Sequence, residues 1–255
     1  MAKTLCIYGL GKIGRECVKE LLHLKEIEIR CLVDAHSIDE VVNLFNLDTT
    51  YDNYFKEHPI ETRAHEGKDY ILLEGKEILF ITETRRAELP LGELSIDYVI
   101  DASGEELTNK VLTEFLSAGS KKAIGIIESV NNPLQNIAIM NLSDSSIFQQ
   151  SILYSPLGGF IALGRALQCL NEAAGIIGAD YLQLISNVDG KILTEFNQLE
   201  TINNMKITQG NYYRKIGYVL PAIMGKVRGN AHICYPVGHG SLMNRNVEIS
   251  ADKNI

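Results

Sequence analysis

The sequence predicts an α/β fold, in which a parallel sheet covered by helices is followed by a second, smaller domain. Three observations predict this fold. Apolar β-branched runs alternate with helical patterns in the first half, a glycine-rich loop joins the first strand to the first helix, and the sequence pattern changes near residue 150. Because 255 residues exceed the roughly 150 of a usual domain, we expect two domains, at 1–150 and 151–255.

The first half combines short apolar strands with amphipathic helices. Strands are predicted at 4–8, 28–33, 98–101 and 122–127, and helices at 12–24, 38–47 and 106–118. Within 70–81, two short strands flank a Glu-Gly-Lys turn, which predicts an antiparallel insert that is a hairpin rather than a crossover connection. The second half begins with a glycine-rich segment and a helix through Ala174, and apolar runs follow at 180–188, 216–224 and 230–237.

Composition excludes several classes of function. The net charge of −8 lacks the basic excess that a nucleic-acid phosphate backbone requires, so no nucleic-acid partner is expected. No apolar run approaches the ~18 residues of a membrane span, which predicts neither membrane insertion nor secretion. Five scattered cysteines without a CxxC pair argue against disulfides and structural zinc, and indicate reduced thiols in the cytoplasm. They are Cys6, Cys17, Cys31, Cys169 and Cys234.

A GxGxxG loop follows the first strand and begins the first helix. It consists of Gly9, Leu10, Gly11, Lys12, Ile13 and Gly14. Such glycines let a dinucleotide pyrophosphate approach backbone N–H groups at the helix N-terminus. Asp34 ends the second strand, where a carboxylate would bind the adenosine ribose and favour NAD over NADP. Lys12 or His36 would weaken the preference for NAD. The alternative to a dinucleotide site is a strand–helix turn that has lost its ligand.

The segment 7–15, IYGLGKIGR, resembles the first loop of glyceraldehyde-3-phosphate dehydrogenases. Further segments resemble that family in the same order, at 43–51, 75–83, 89–90, 97–104 and 118–122. The resemblance implies a Rossmann-type NAD-binding domain, with Ser103 and Gly104 at the cofactor, and a smaller α+β catalytic domain. It also implies a homo-oligomer. The family's long final helix has no counterpart before Ile255, so we expect it to be missing.

Three functional positions of the family are not retained. The resemblance places Pro156 at the catalytic cysteine, finds no histidine within 184–189 for the base, and places Cys234 at a phosphate-binding arginine. Proline cannot attack a carbonyl, so the resemblance argues against the family's phosphorylating aldehyde oxidation.

Other residues are candidates for catalysis. Cys234, His232 and His239 form a Cys/His group that would lie near the reactive end of the cofactor. The alternatives are a buried cysteine with two partly exposed histidines, or a metal site for which a third ligand is not recognisable; no metal is predicted. The chain is therefore either a diverged oxidoreductase acting on an unknown small-molecule substrate, or a pseudoenzyme that binds NAD or a partner.

Structural roles are expected for several further residues. Tyr154 could act in acid/base chemistry but is expected to be structural. Arg85 and Arg86 are expected to be a solvated charge pair in a loop, and the alternative is a contact with the adenine side of the cofactor. Cys6, Cys17, Cys31 and Cys169 are expected on the buried faces of core elements.

Overall fold

The structure is a computed structural model that describes residues 2–48, 53–127, 136–156, 159–186, 206–208, 216–217, 219–234 and 242–250. For 159, 162, 180–186, 206–208, 228–234 and 242–246 it describes the backbone only. The chain divides into two compact units, one of Met1–Ile127 with Gln149–Ser155 and one of Glu128–Phe148 with Pro156–Ile255. The domain limits at 1–150 and 151–255 stay a prediction. Near that limit, 128–148 belong to the second unit and 149–155 to the first. No helix of the described residues is both long and apolar enough to cross a bilayer.

The first unit contains an eight-stranded sheet with helices connecting its strands. Its strands are β1 (Lys3–Tyr8), β2 (Ile27–Asp34), β3 (Glu61–His65), β4 (Lys68–Leu73), β5 (Lys76–Thr82), β6 (Tyr98–Asp101), β7 (Lys122–Ile127) and β8 (Ile152–Pro156). Their order in the sheet is β3-β4-β5-β2-β1-β6-β7-β8. The helices are α1 (Lys12–Leu22), α2 (Ile38–Asn46), α3 (Tyr54–Glu57) and α4 (Asn109–Ser117). This is the α/β arrangement that the sequence predicted.

Parallel pairing occupies the middle of this sheet. β1 pairs in parallel with β2 and with β6, β2 with β5, and β6 with β7. A strand that is covered on both faces has consecutive apolar residues, and the consecutive pairs Cys6–Ile7 and Leu32–Val33 are fully buried. Since the carboxyl ends of parallel strands meet at one edge, the loops after β1, β2 and β6 lie along a common edge of the sheet.

The predicted hairpin is confirmed, but the prediction that this segment is not a crossover connection was wrong. β4 and β5 are antiparallel, with Leu73 opposite Lys76, and β3 adds a further antiparallel strand. β5 also pairs in parallel with β2, so the segment completes a crossover connection as well as a hairpin. The sequence did not predict β3, because each of its residues is exposed and shows no apolar alternation.

Helix ends differ from the predicted ones for identifiable reasons. α1 ends at Leu22 because the chain turns at His23 toward β2, so Leu24, the last residue of the predicted helix, lies outside it and is 45% exposed. α4 begins at Asn109 because the Thr108 side chain caps it by accepting a hydrogen bond from the Val111 amide. The start of α4 is therefore set by its capping residue rather than by the apolar pattern.

Asp97 connects three strands at the edge opposite to those loops. Its carboxylate accepts hydrogen bonds from the Thr4 amide at 3.1 Å and from Lys121 Nζ at 2.6 Å. Its backbone carbonyl accepts from the amides of Lys121 and Lys122. Hydrogen bonding to Lys121 and then to the Thr4 amide lowers the pKa of Asp97 to about 2. Hydrogen bonds to Asp97 thus connect the starts of β1, β6 and β7.

The second unit contains a helix and a four-stranded sheet. Its elements are α5 (Gly159–Ala174), β9 (Ile176–Ser186), β10 (Lys206–Thr208), β11 (Val227–Cys234) and β12 (Leu242–Ile249). The strand order is β10-β11-β9-β12, in which only the pairing of β9 with β11 is parallel among these described strands. The apolar run at 216–224 forms a short 3₁₀ turn at Pro221–Ile223.

One cysteine departs from its expected role. Cys6 and Cys31 are buried and Cys17 is half-buried, as expected, but Cys169 on α5 is exposed. The prediction was wrong because two successive steps of three residues from Leu163 rotate a side chain by about 120° away from the starting face. The buried face of α5 instead follows Phe160, Leu163, Leu167 and Ala174.

Candidate functional site

The glycine loop packs closely against the loop that follows β6. Gly9 has a φ of +85°, and a Cβ there would lie 2.5 Å from backbone atoms of Ser103. The Gly9 amide donates to the Val33 carbonyl at 2.8 Å, which also holds the loop against β2. Only glycine satisfies both the backbone conformation and this approach. The loops after β1 and β6 therefore lie in close backbone contact at this edge of the sheet.

Gly11 and Gly14 are required for different reasons. A Cβ at Gly14 would lie 1.9 Å from the Gly9 carbonyl oxygen, so this glycine allows α1 to pack on the loop. A Cβ at Gly11 would meet no described atom within 4 Å, and its φ of −63° suits any residue. No close contact with a described residue requires a glycine at position 11, whereas a ligand approaching the backbone would.

The N-terminus of α1 is open. No side chain of the described residues caps Gly11, and the first turn contains no acidic residue. By contrast, α2 begins with Ser37 and Glu40 in a capping box, and α4 is capped by Thr108. The first amides of α1, including those of Lys12 and Ile13, lack partners within the helix. An anion at this positive helix end would satisfy them.

Asp34 lies beside the loop, as the motif predicted. Its Oδ2 accepts a hydrogen bond from the Leu10 amide at 2.6 Å, while Oδ1 accepts from the His36 amide at 3.0 Å and lies 2.7 Å from His36 Nδ1. Burial alone would raise the pKa of Asp34, but these hydrogen bonds together hold it below its usual value. Asp34 is therefore a carboxylate, and Oδ2 keeps a lone pair for a ribose hydroxyl.

Ser103 and Gly104 belong to the turn that faces the glycine loop. The Ser103 amide and hydroxyl both donate to Asp101 Oδ1, at 3.0 and 2.7 Å. Gly104 has a φ of +74°, which turns the chain away from the sheet. Ser103 therefore lies against Gly9, and the contact of Ser103 and Gly104 with the cofactor stays a prediction.

Sequence reasoning missed the buried cluster beneath this turn. Arg86, expected in a solvated pair, is buried, and its Nε donates to Asp101 at 2.9 Å. A second nitrogen donates to Glu105 at 2.6 Å and to Ser103 Oγ at 3.3 Å. The guanidinium also lies 4.6 Å from the centre of the Tyr8 ring. The available signal was Asp101 itself, an acid that ends a buried strand and requires a partner.

Tyr8 completes the cluster. Its hydroxyl donates to the Thr84 carbonyl at 2.9 Å, and burial raises the pKa of Tyr8 to about 12 in spite of the opposing charge of Arg86. Arg86 thus bridges the segment after β5 to the ends of β1 and β6. The cluster therefore stabilises the turn at Ser103 and Gly104, which lies against the glycine loop.

The candidate catalytic residues lie largely outside the described part of the structure. His232 and Cys234 are placed on the backbone of β11, opposite Leu184 and Ser186 of β9, but their side chains are not described. His239 is not among the described residues. Their grouping stays a prediction. Within the described residues, no group of three metal-binding side chains is arranged to hold a metal ion.

Two residues near the start of α5 are placed more clearly. Pro156 is buried as the last residue of β8, three positions before α5 begins. Tyr154 is fully buried, its hydroxyl donates to Asn109 at 2.7 Å, and burial raises its pKa to about 12. Tyr154 is therefore a core residue rather than a proton donor.

Comparison with known proteins agrees with this site. The sequence model described as the NAD binding domain of glyceraldehyde 3-phosphate dehydrogenase matches residues 3–109. The chain is 26% identical to glyceraldehyde-3-phosphate dehydrogenase 2 of Staphylococcus epidermidis, over 100% of this chain and 75% of the relative. It is 22% identical to glyceraldehyde-3-phosphate dehydrogenase 2 of Bacillus subtilis, over 99% and 74%. For the glyceraldehyde-3-phosphate dehydrogenase of Ogataea parapolymorpha the identity is 27%, over 90% and 68%.

The residues present fit the cofactor that this domain implies. The open position at Gly11 and the uncapped start of α1 suit a pyrophosphate, and Asp34 suits a ribose. The cofactor is NAD, and the chain is similar to glyceraldehyde-3-phosphate dehydrogenases, whose NAD binding domain is matched at residues 3–109.

Proposed function

We propose that the chain is an NAD-dependent oxidoreductase that exchanges a hydride with a small carbonyl or hydroxyl compound without forming an acyl-enzyme. The observation that carries the proposal is the open helix start at Gly11 beside Asp34, since a chain with no dinucleotide to bind would gain from capping α1. NAD supplies the hydride chemistry when bound. The glycine loop and Asp34 bind and orient it.

The proposal excludes phosphorylating oxidation of an aldehyde. That reaction requires a thiolate to attack the carbonyl carbon, and the matching position in this chain is Pro156. In the proposed reaction, a carbonyl compound gains one hydride from NADH and one proton, which gives an alcohol and NAD. The candidates for the proton donor are His232, His239 and Cys234.

The second candidate function is a pseudoenzyme that binds NAD or a protein partner. The absence of the nucleophile, the base and the arginine from their aligned positions favours it. The two functions share the NAD site and differ in turnover, so NAD binding alone does not separate them.

The cofactor assignment is tested by titration with NADH. Gly11→Ala is expected to weaken binding moderately and Gly11→Val strongly, because larger side chains fill the space that the pyrophosphate requires. Thermal melting checks that both variants are folded, and no described atom lies within 4 Å of the Cβ that either substitution adds. If the wild type binds neither NAD nor NADH at millimolar concentration, the assignment is wrong.

Turnover is tested with NADH and a panel of small aldehydes and ketones, followed by loss of absorbance. Turnover that falls in His232→Gln or Cys234→Ser supports the oxidoreductase; binding without turnover across the panel favours the pseudoenzyme. With NAD, phosphate and glyceraldehyde 3-phosphate, the rate is expected to stay at background, and Pro156→Cys should restore little. Production of NADH that survives Cys234→Ser would mean that the alignment of Pro156 is incorrect.

We also propose a cytoplasmic homo-oligomer. The cytoplasmic location is supported by the free thiols of Cys6, Cys17, Cys31 and Cys169. Self-association is supported by exposed apolar residues of the second unit, among them Ile177, Met224 and Ile249.

A further inference from the structure

His36 occupies one side of the carboxylate that selects the cofactor. Its backbone amide and its Nδ1 both lie within hydrogen-bond distance of Asp34 Oδ1, at 3.0 and 2.7 Å. Two such bonds use the lone pairs of Oδ1, so Oδ2 alone keeps acceptor capacity for a ribose hydroxyl. The motif that favours NAD therefore contains a second, titratable residue.

The His36 ring can move, because its side chain is 63% exposed. It follows β2 directly and precedes α2, so it lies at the same edge as the glycine loop. A ring in this position can rotate from Asp34 toward a group bound at the ribose without disturbing packed residues.

The charges around His36 are acidic. Among the described residues, the charged groups that face it are Asp34 at the end of β2 and Glu40 in the first turn of α2. The hydrogen bond to Asp34, and then the charge of Asp34, raise the pKa of His36 above its usual value. Glu40 is held by Ser37, whose amide and hydroxyl donate to it at 2.9 and 2.7 Å, so Asp34 remains the partner of the ring.

NADP differs from NAD by a phosphate on the 2′-oxygen of this ribose. A bare carboxylate repels that phosphate, which carries between one and two negative charges near neutral pH. A protonated imidazole cancels the charge of Asp34 and offers a charge-assisted hydrogen bond to the phosphate. Neutral His36 does neither.

We propose that this chain binds NADP as well as NAD at mildly acidic pH, and that His36 is the residue that decides between them. The inference rests on the assignment of the dinucleotide site. At pH 8 the site is selective for NAD, and as the pH falls to 6 the preference weakens because His36 gains a proton. His36 is thus a specificity-determining residue, with Asp34 as the group through which it acts in the absence of the phosphate.

The test is isothermal titration calorimetry of NAD⁺ and NADP⁺ at pH 8 and pH 6, with the ratio of the two dissociation constants as the readout. The 2′-phosphate itself gains a proton near pH 6, so part of any change belongs to the ligand. His36→Gln isolates that part. We expect the ratio of NADP⁺ to NAD⁺ dissociation constants to fall by about fivefold more in the wild type than in this variant.

Two further variants separate the effect of His36 from those of other charged groups. His65→Gln changes another exposed histidine, which lies on β3 and faces Glu77 at 3.5 Å, and should behave as the wild type does. Asp34→Asn removes the repelling charge and should lower the ratio already at pH 8. Thermal melting checks that each variant is folded.

The outcomes are distinguishable. An equal pH change in the wild type and in His36→Gln would overturn the role of His36 and leave the NAD site intact. Binding of NAD⁺ without detectable binding of NADP⁺ at pH 6 would overturn the acceptance of NADP. Failure of NAD⁺ to bind at either pH would overturn the cofactor assignment together with this inference.

Discussion

Replacing Arg86 tests whether the buried cluster holds the turn that faces the glycine loop. Its side chain is 9% exposed, and that of its partner Asp101 is fully buried. Arg86→Met keeps much of the side-chain volume but leaves the carboxylate buried without its cation. Removing one partner of a buried ion pair costs about 3–5 kcal/mol. The bond to Glu105 adds little, because that side chain is 60% exposed.

The assay is urea unfolding, with the free energy of unfolding obtained from the midpoint at a constant slope. Arg85→Met is the matched control: it removes the neighbouring arginine, which is 66% exposed and paired with Glu83 and Glu88, and should leave the urea midpoint close to that of the wild type. The double variant Arg86→Met with Asp101→Asn should be more stable than the sum of the single changes predicts, by about 1–3 kcal/mol.

Two results would refute this reasoning. One is a loss below about 1 kcal/mol in Arg86→Met, which would mean that the Asp101 carboxylate finds another partner or reaches water. The other is strict additivity in the double variant, which would mean that Arg86 and Asp101 do not interact in solution.

Further outcomes are expected at other positions. Gly14→Ala should destabilise the fold by several kcal/mol, since its Cβ would lie 1.9 Å from the Gly9 carbonyl, whereas Gly11→Ala, whose Cβ meets no described atom within 4 Å, should cost far less. Asp97→Asn should lower stability at pH 5–7. Because the pKa of Asp97 is lowered from 3.8 to about 2, its contribution is present above about pH 4 and should vanish as the pH falls through 2; a difference that persists at lower pH would contradict this. Sedimentation equilibrium at micromolar concentration should give at least twice the 28.3 kDa chain mass, and a single monomeric species would refute self-association.

Local patterns predicted most of the first sheet. β6 and β7 have the predicted limits, Tyr98–Asp101 and Lys122–Ile127, because each is a short apolar run bounded by polar residues. The edge strand Glu61–His65 was missed because an exposed strand has no buried face to impose an alternation. Its partner β4, rather than its own residues, gives it an extended conformation.

The binding motif was predictable from the sequence, but the buried cluster that stabilises it was not. Gly9 and Asp34 were identified because the spacing of strand, loop and helix restricts where a dinucleotide can bind. Arg86 resembles any charged loop residue in sequence, and its partner Asp101 comes 15 residues later. Their contact depends on the order of strands in the sheet, which no local pattern contains. For His36, only the neighbouring acid at position 34 gave a signal.

The uncapped start of α1 also allows ligand binding to be measured by hydrogen exchange. Backbone N–H groups without a partner inside their helix exchange their hydrogen with solvent quickly, and the first turn of α1 places several of them together. In a deuterium-exchange experiment, the peptide that contains Lys12 and Ile13 should label early in the free protein and slowly when the site is occupied. The capped start of α2, at Ser37, provides an internal reference whose labelling should not change. Occupancy of the site could then be followed in a crude extract, with neither a substrate nor a chromophore.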